Sequence, residues 1–583
     1  MSPPPQPELT QSQERRAWTL LLLLATVLRL AGLGHRAMSH DESLHTTFSW
    51  YLATRFHYQH DPMMHGPLLF HLNALVYRLL WVSDATSRLV PALAGIGTVA
   101  AVRLYRRWLG SAGSLAAAAL IALNPGLLTY SRYIRNESMI GLATLLLYWA
   151  FLRYLESGHA RHLRWGTLCL ALLFLSKAVS FIHGFVMGAL LTGWALLEYH
   201  RGQKLTLRTR RIADWALLLL TLALPFAAGL LHRLPGWDPR DTHTLTGQNR
   251  TFAIALILSA LSFCLALFWF TTPKRFRIWL QAFALFWSLQ LLLYTTLFSN
   301  FRSGLASGLA ATLGYWLDQH EVQRGSPDPF FYLTLLLFYE PLLLLGFFQK
   351  HNFRRSPQAL FALWALGHLL IYSWAGERMP WLLTHISLPL CLLAGPALLQ
   401  LWQRRPRLRP LLPLLALHYL INSLRLLGPN ADSVAEPMFF AHAGPEVKTA
   451  LQILEHHLAR DPRRIAWIHI DHRWPLAWYL RDLPAAFPDL LTHPPPEVAA
   501  ITLPPGTEAP WIDAGWTSRG TFILIDWPRQ HWHAFTADNF RALLQQPRVR
   551  RNLLRFYLFR EVPPIGPFDH PQPNRFVLLT RET

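Results

Sequence analysis

Apolar runs of about 17–22 residues alternate with short polar breaks from Trp18 to Leu427. A helix of about 20 residues crosses the hydrocarbon core of a bilayer, so each run is a candidate span. The pattern predicts spans near 17–34, 87–105, 112–131, 138–156, 164–178, 180–198, 214–232, 251–271, 278–298, 330–349, 356–375, 380–401 and 409–427. That is a mainly α, polytopic bundle of about 13 transmembrane helices. Two breaks are long. The first, 35–86, holds two further helical patterns, Ser43–Arg55 and Gly66–Val82, which suit helices lying in the membrane interface. The second, Asn300–Pro329, reads equally as a lid or as a plain connector.

Beyond Leu427 the pattern changes. A linker at Gly428–Pro437 leads to a helix at Pro445–Ala459, a strand at Arg464–Ile470 and a helix at Pro475–Leu483. A second strand, Thr521–Asp526, and a helix at Ala537–Gln546 follow. Strands alternating with helices predict a small α/β domain. The expected organisation is a Pro-rich N-terminus (1–16), a membrane domain (17–427) and a C-terminal α/β domain (428–583).

Composition supports a membrane protein. The chain is 52% hydrophobic and 15% charged, against about 25% charged in soluble domains. Its three cysteines, Cys169, Cys264 and Cys391, lie in apolar runs, with neither metal spacing nor a disulfide framework. The net charge of +21 admits nucleic-acid binding or a positive-inside bias. Arg15-Arg16 precede the first run with no convincing cleavage site, so the N-terminus is expected in the cytoplasm. Alternate loops then carry Arg103/Arg106/Arg107, Arg161/Arg164, Arg201 to Arg211, Lys274/Arg275/Arg277, Lys350/Arg354/Arg355 and Arg404 to Arg409. The opposite loops hold Asp41, Glu42, Asp61, Glu137, Asp238, Asp241, Asp318, Glu321 and Glu377. This segregation follows the positive-inside rule and leaves no role for nucleic acid. It predicts a multi-pass inner-membrane protein with an extracytoplasmic C-terminal domain.

Ionisable groups near a bilayer are costly, so they mark candidate chemistry. Asp41-Glu42, between His40 and His45, is the first acidic pair after the first span. It suits deprotonation of a hydroxyl, although acids are also favoured at a helix start. Arg132, Arg135 and Glu137 share one short loop, where arginines suit a phosphate. Lys177, between two short spans, suits a lipid phosphate or simple snorkelling. Glu377 and Arg378 form an ion pair or part of a site, while Glu340 interrupts a span and is read as structural. His60, Asp61 and His65 are weak candidate ligands for a divalent metal, the one cofactor considered.

The motifs, in order, resemble a known family. They are His40-Asp-Glu-Ser-Leu-His45, Asp61-Pro-Met-Met-His-Gly-Pro67, Ser131-Arg-Tyr-Ile-Arg-Asn-Glu137, Gly376-Glu-Arg-Met-Pro-Trp381 and Trp474-Pro-Leu-Ala-Trp-Tyr-Leu-Arg481. The first span, Asp41-Glu42 and the long loop resemble the GT-C glycosyltransferases, which include protein O-mannosyltransferases and lipid A aminoarabinose transferases. The full set is similar to the archaeal and bacterial "flippase activity-associated" branch of glycosyltransferase-39-like proteins. The resemblance implies sugar transfer from a polyprenyl-phosphate donor to a glycan, lipid or protein acceptor on the outer face. It implies Asp41 as catalytic base with Glu42 beside it, and Lys177 at the donor phosphate. From their place on the outer loops, Arg132, Arg135 and Arg378 are expected to share in holding that phosphate. His40, His65, Glu137 and Glu377 would support the substrate. Ser176-Lys177-Ala178 departs from the branch in lacking an acid after the lysine.

Three rivals make different demands. A non-catalytic partner of a lipid-linked-oligosaccharide flippase needs the cations but not the acid pair. A secondary transporter predicts inverted repeats, and no internal repeat is visible. A membrane anchor for the C-terminal domain gives no reason for the ionisable groups of the outer loops.

Overall fold

In the computed structural model, the described residues are 9–202, 206–233, 238, 240–322, 325–326, 328–348, 357–428, 436–460, 463–489, 494–525, 541, 544–559 and 574–581. Most form helices, and eight of these are long and apolar enough to cross a membrane. They are Leu89–Leu109, Glu137–Ser157, Ser180–His200, Leu207–Leu231, Leu245–Trp269, Pro273–Tyr294, Pro380–Arg404 and Pro406–Leu427. A helix satisfies its own backbone in lipid, which is why long apolar runs take this form.

Among the described residues eight helices, against the expected 13, meet that length and composition, for visible reasons. The first run lies in α1 (Gln11–Leu30), whose first turns carry Glu14, Arg15 and Arg16. Asn124 splits another run into Ser111–Leu123 and Pro125–Tyr130, its side chain capping the second piece. Glu340 splits a third into Phe331–Tyr339 and Pro341–Leu344. Its carboxylate is buried and accepts from the Ser387 hydroxyl at 2.5 Å, so its partner is a serine on Pro380–Arg404. Ala160–Ser176 and Pro357–Trp374 are 17 and 18 residues long.

The long break after α1 folds into α2 (His40–Arg55) and α3 (Leu68–Leu79), which pack together. In the second long break, a π-helical turn at Ser307–Ala311 joins Phe301–Ala306 to Thr312–Val322. That segment is tied down at both ends. Ser307 Oγ is 2.8 Å from His60 Nδ1, and Gly376 N donates to His320 Nδ1 at 3.0 Å. A Cβ on Gly376 would lie 2.0 Å from the His320 carbonyl oxygen, so the contact needs glycine.

The C-terminal segment contains a five-stranded sheet of β1 (Ile465–Ile468), β2 (Ala485–Ala486), β3 (Val498–Leu503), β4 (Thr517–Ile525) and β5 (Asn574–Thr580), in the order β2-β1-β3-β5-β4. β1 runs parallel to β2 and β3, while β5 runs antiparallel to β3 and β4. Helix Glu446–Leu458 covers the sheet with Val447, Leu451 and Leu454. The expected helix at Ala537–Gln546 falls largely outside the described residues.

The sheet domain docks on the part of the membrane domain that leads into α2. Tyr479 Oη accepts from Met38 N at 2.8 Å, and Ala441 O accepts from His40 N at 3.1 Å. Lys448 Nζ donates to the carbonyls of Gly34 and His35 at 3.0 and 2.6 Å. Asp84 accepts from Trp478 Nε1 and Tyr479 Oη, both at 2.9 Å.

Candidate functional site

α2 begins with a capping box. Ser39 Oγ accepts from Glu42 N, and Glu42 Oε2 accepts from Ser39 N at 3.1 Å. The Glu42 carboxylate then takes a forked guanidinium from Arg88, at 2.8 and 3.1 Å, and a second from Arg36 at 2.7 Å. Ile134 N adds a bond at 3.2 Å. Glu42 is fully buried. Burial opposes its charge, but Arg36 and Arg88 hold the carboxyl well below the usual carboxylate range.

Asp41 has different neighbours. Its Oδ2 meets Arg135 Nη1 at 2.5 Å, and its Oδ1 lies 3.2 Å from His40 Nδ1. Its side chain stays 29% exposed. Burial of the group works against its charge, yet the His40 hydrogen bond and the Arg135 guanidinium hold it well below the usual range. From Arg135 the ion pairs continue: Nε is 3.4 Å from Glu137 Oε2, and Glu137 Oε1 is 2.8 Å from Lys177 Nζ. Trp381 covers both cations, its ring centroid 3.6 Å from Arg135 Cζ and 5.4 Å from Lys177 Nζ. In the sequence Trp381 is simply the last residue of the Gly376–Trp381 motif, and only the fold brings it beside two cations.

Lys177 sits where helix Ala160–Ser176 ends, with extended dihedrals of φ −164° and ψ 153°. Gly66 holds the other side of this break. Its N–H donates to Ser176 O at 3.0 Å, and a Cβ there would lie 2.2 Å from Leu175 O. His65 is thereby set against Lys177, and both line a pocket with Trp316, Gln319, Glu377 and Trp381. Burial, with Lys177 and Arg135 nearby, lowers the His65 pKa well below its ordinary value. Asp41 is not among the residues lining this pocket; it reaches it through Arg135 and Glu137. His45 Nδ1 is bonded to the Asp41 carbonyl at 2.7 Å, and burial followed by Arg135 lowers its pKa to about 4.

The structure therefore joins Asp41, His40, Arg135, Glu137 and Lys177 by direct contacts, with His65 and Glu377 beside Lys177. It does not bring Arg132 or Arg378 to that chain. Arg132 donates to the carbonyls of Leu28, Arg29 and Gly32 at the end of α1. Arg378 donates to the carbonyls of Ser373 and Ser326. The suggested metal ligands also separate. His60 bonds Ser307, Asp61 caps the turn Pro62–Met64 through Met63 N, and His65 faces Lys177. Among the described residues, no group of three or more His, Cys, Asp or Glu side chains converges as a metal site.

Residues 64–229 match the family described as dolichyl-phosphate-mannose-protein mannosyltransferase. Over that segment, which supplies Arg135, Glu137 and Lys177, the chain is similar to GT-C-type membrane glycosyltransferases. No curated protein matches it in sequence. Among solved structures, an oligosaccharyltransferase from Archaeoglobus fulgidus is 12% identical with a TM-score of 0.45, covering 97% of this chain and 88% of that one. ArnT from Cupriavidus metallidurans bound to undecaprenyl phosphate is 14% identical with a TM-score of 0.37, covering 87% and 95%. The S. cerevisiae Pmt1-Pmt2 complex bound to the sugar donor is 18% identical with a TM-score of 0.28, covering 47% and 35%.

Proposed function

We propose that this chain is an integral membrane glycosyltransferase that transfers a sugar from a polyprenyl-phosphate donor to a hydroxyl-bearing acceptor on the outer face of the membrane. The observation that carries the reading is the unbroken line from the partly exposed Asp41 carboxylate, through Arg135 and Glu137, to Lys177. Asp41 takes the acceptor proton. The acceptor oxygen bonds to the anomeric carbon, the bond from that carbon to the phosphate oxygen breaks, and the electron pair leaves on the phosphate. Lys177 meets the charge that develops on the phosphate. Glu42 is structural in this reading, because its capping box and two arginines leave it no part in proton transfer.

Arg135 gives the scheme its control. A carboxylate held by a guanidinium is a weak base. If the donor phosphate draws Arg135 toward itself, Asp41 regains basicity as the substrate arrives. The rival helper of a lipid flippase is favoured by one observation, the engagement of both Asp41 carboxylate oxygens, one by Arg135 and the other by His40. Transfer from a labelled polyprenyl-phosphate sugar separates the two. Asp41→Asn sharply lowers transfer in an enzyme whose Asp41 is the base, whereas a helper shows no transfer of its own, and its support of lipid flipping survives Asp41→Asn and is lost in Lys177→Ala.

A further inference from the structure

A second cationic site lies away from Lys177. A cavity of about 420 Å³ opens where α1 ends, lined by His35, Arg36, Arg88, Thr129 and Arg132, with Leu426 and Leu427 from the last apolar helix. It shares no lining residue with the Lys177 pocket. Three guanidinium groups border it, and the carboxylate in contact with them is Glu42, bound by Arg36 and Arg88. Arg132 has carbonyl partners but no carboxylate among the described residues. Burial, and then repulsion from Arg88 and Arg36, lowers its pKa to about 10. Thr129 is 3% exposed, and its hydroxyl has no hydrogen-bond partner among the described residues. The Arg36 Nη1 group is also without one. Excess buried positive charge and idle polar atoms together call for an anion.

The surroundings name its carrier. α1 exposes Leu20, Leu23 and Val27, and Leu411–Leu427 exposes Leu417, Ile421 and Leu424. Both helices pack on Ser111–Leu123, and the end of each lines the cavity, through Ala31 and Gly32 after α1 and through Leu426 and Leu427. The geometry points to a binding site for the phosphate of an anionic membrane phospholipid, its head group against Arg132 and Arg36 and its acyl chains along α1 and Leu411–Leu427. Arginine forks suit phosphate oxygens, and a zwitterionic head group offers no net charge to offset the excess. The site is separate from the proposed sugar transfer and is testable whether or not transfer occurs.

The test uses the full chain purified in detergent, with short-chain phosphatidylglycerol, phosphatidylcholine or inorganic phosphate. Native mass spectrometry reads lipid retention, and thermal unfolding reads stabilisation. Phosphatidylglycerol is expected to stay bound and raise Tm, while phosphatidylcholine at the same concentration does neither. Arg132→Gln is expected to weaken retention about tenfold or more, the loss of one charge-assisted contact. His35→Glu places a negative charge on the exposed rim without touching a buried partner, and is expected to weaken retention likewise. It decides the matter alone if Arg132→Gln does not fold. Equal retention of the two lipids, or unchanged retention in His35→Glu, overturns the proposal. Stabilisation by inorganic phosphate equal to that by phosphatidylglycerol overturns the lipid assignment.

Discussion

Asp41 and Glu42 are adjacent in sequence and belong to different kinds of structure. Glu42 is closed: its oxygens take two guanidinium groups and two backbone N–H groups, and none of it reaches solvent. Asp41 is open: one guanidinium and one imidazole hold it, and over a quarter of its side chain is exposed. A helical step of about 100° separates neighbouring side chains, which is enough to send one into a sealed knot and the other into a line of charges. The same residue chemistry thus serves architecture in one place and, in our reading, reactivity in the other. A carboxylate whose acceptor sites are all used has nothing left to offer a substrate.

The sharpest way to break this comparison is to remove each charge in turn. Glu42→Gln strands two arginines beside a neutral group and is expected to cost about 3–5 kcal/mol of stability, read by chemical or thermal unfolding. Asp41→Asn is expected to cost under about 1 kcal/mol in the same assay, because the site is partly exposed. In labelled sugar transfer, its effect is a fall of about 10²–10⁴-fold, the range of general-base catalysis. If Asp41→Asn proves the more destabilising of the two, the assignment of roles is reversed.

A pH series gives the next largest effect. The His45 pKa is lowered to about 4 in the folded chain, against an ordinary value of 6.5. Between those values the unfolded chain binds the proton and the folded chain does not. Stability is therefore full above about pH 6.5 and falls as the pH drops toward 4, by up to about 3 kcal/mol from this group. Other buried histidines act in the same direction, so the difference between wild type and His45→Gln isolates its share. An unchanged pH slope in His45→Gln would remove His45 from the account.

Two smaller effects map the ends of the line. Lys177→Ala is expected to lower kcat/KM for the lipid-linked donor about 10–100-fold, as one charge-assisted contact is lost. Arg378→Gln is expected to change it less than about threefold, because Arg378 is spent on the carbonyls of Ser373 and Ser326. A larger loss in Arg378→Gln than in Lys177→Ala would move the donor site away from Lys177 and toward Arg378.

Much of this was legible in the sequence. Hydrophobic periodicity gave α2 and α3 inside the first long break, the helix Glu446–Leu458, and the strands β1 and β4. The short motifs held Asp41, Arg135, Glu137 and Lys177. The number of spans was not legible, because a run containing Asn124 or Glu340 stays apolar on average while its helix breaks at the polar residue. β3 and β5 were missed because Val498–Leu503 and Asn574–Thr580 pair through a long connection, and short apolar runs do not announce a sheet. Within the site, residue type marked Arg132 and Arg378 as ligands of the donor phosphate, but only packing places Arg132 at the end of α1, away from Lys177, and turns Arg378 to the carbonyls of Ser373 and Ser326. The reverse holds for Arg36 and Arg88, whose hold on Glu42 joins residues with no sequence spacing to signal it.

The docking of the sheet domain also sets a timetable. His40 is bonded to Ala441 and Met38 to Tyr479. A ribosome adding about 5–20 residues per second takes roughly 20–80 s to travel from the first member of each pair to the second. For that interval the start of α2 is inserted but unbraced, and the strand-and-helix segment that fixes it does not yet exist. The proposed base is among the first residues made and among the last to be held in place, so a truncated chain would carry every acidic and basic group of the line without the brace that aligns its first member.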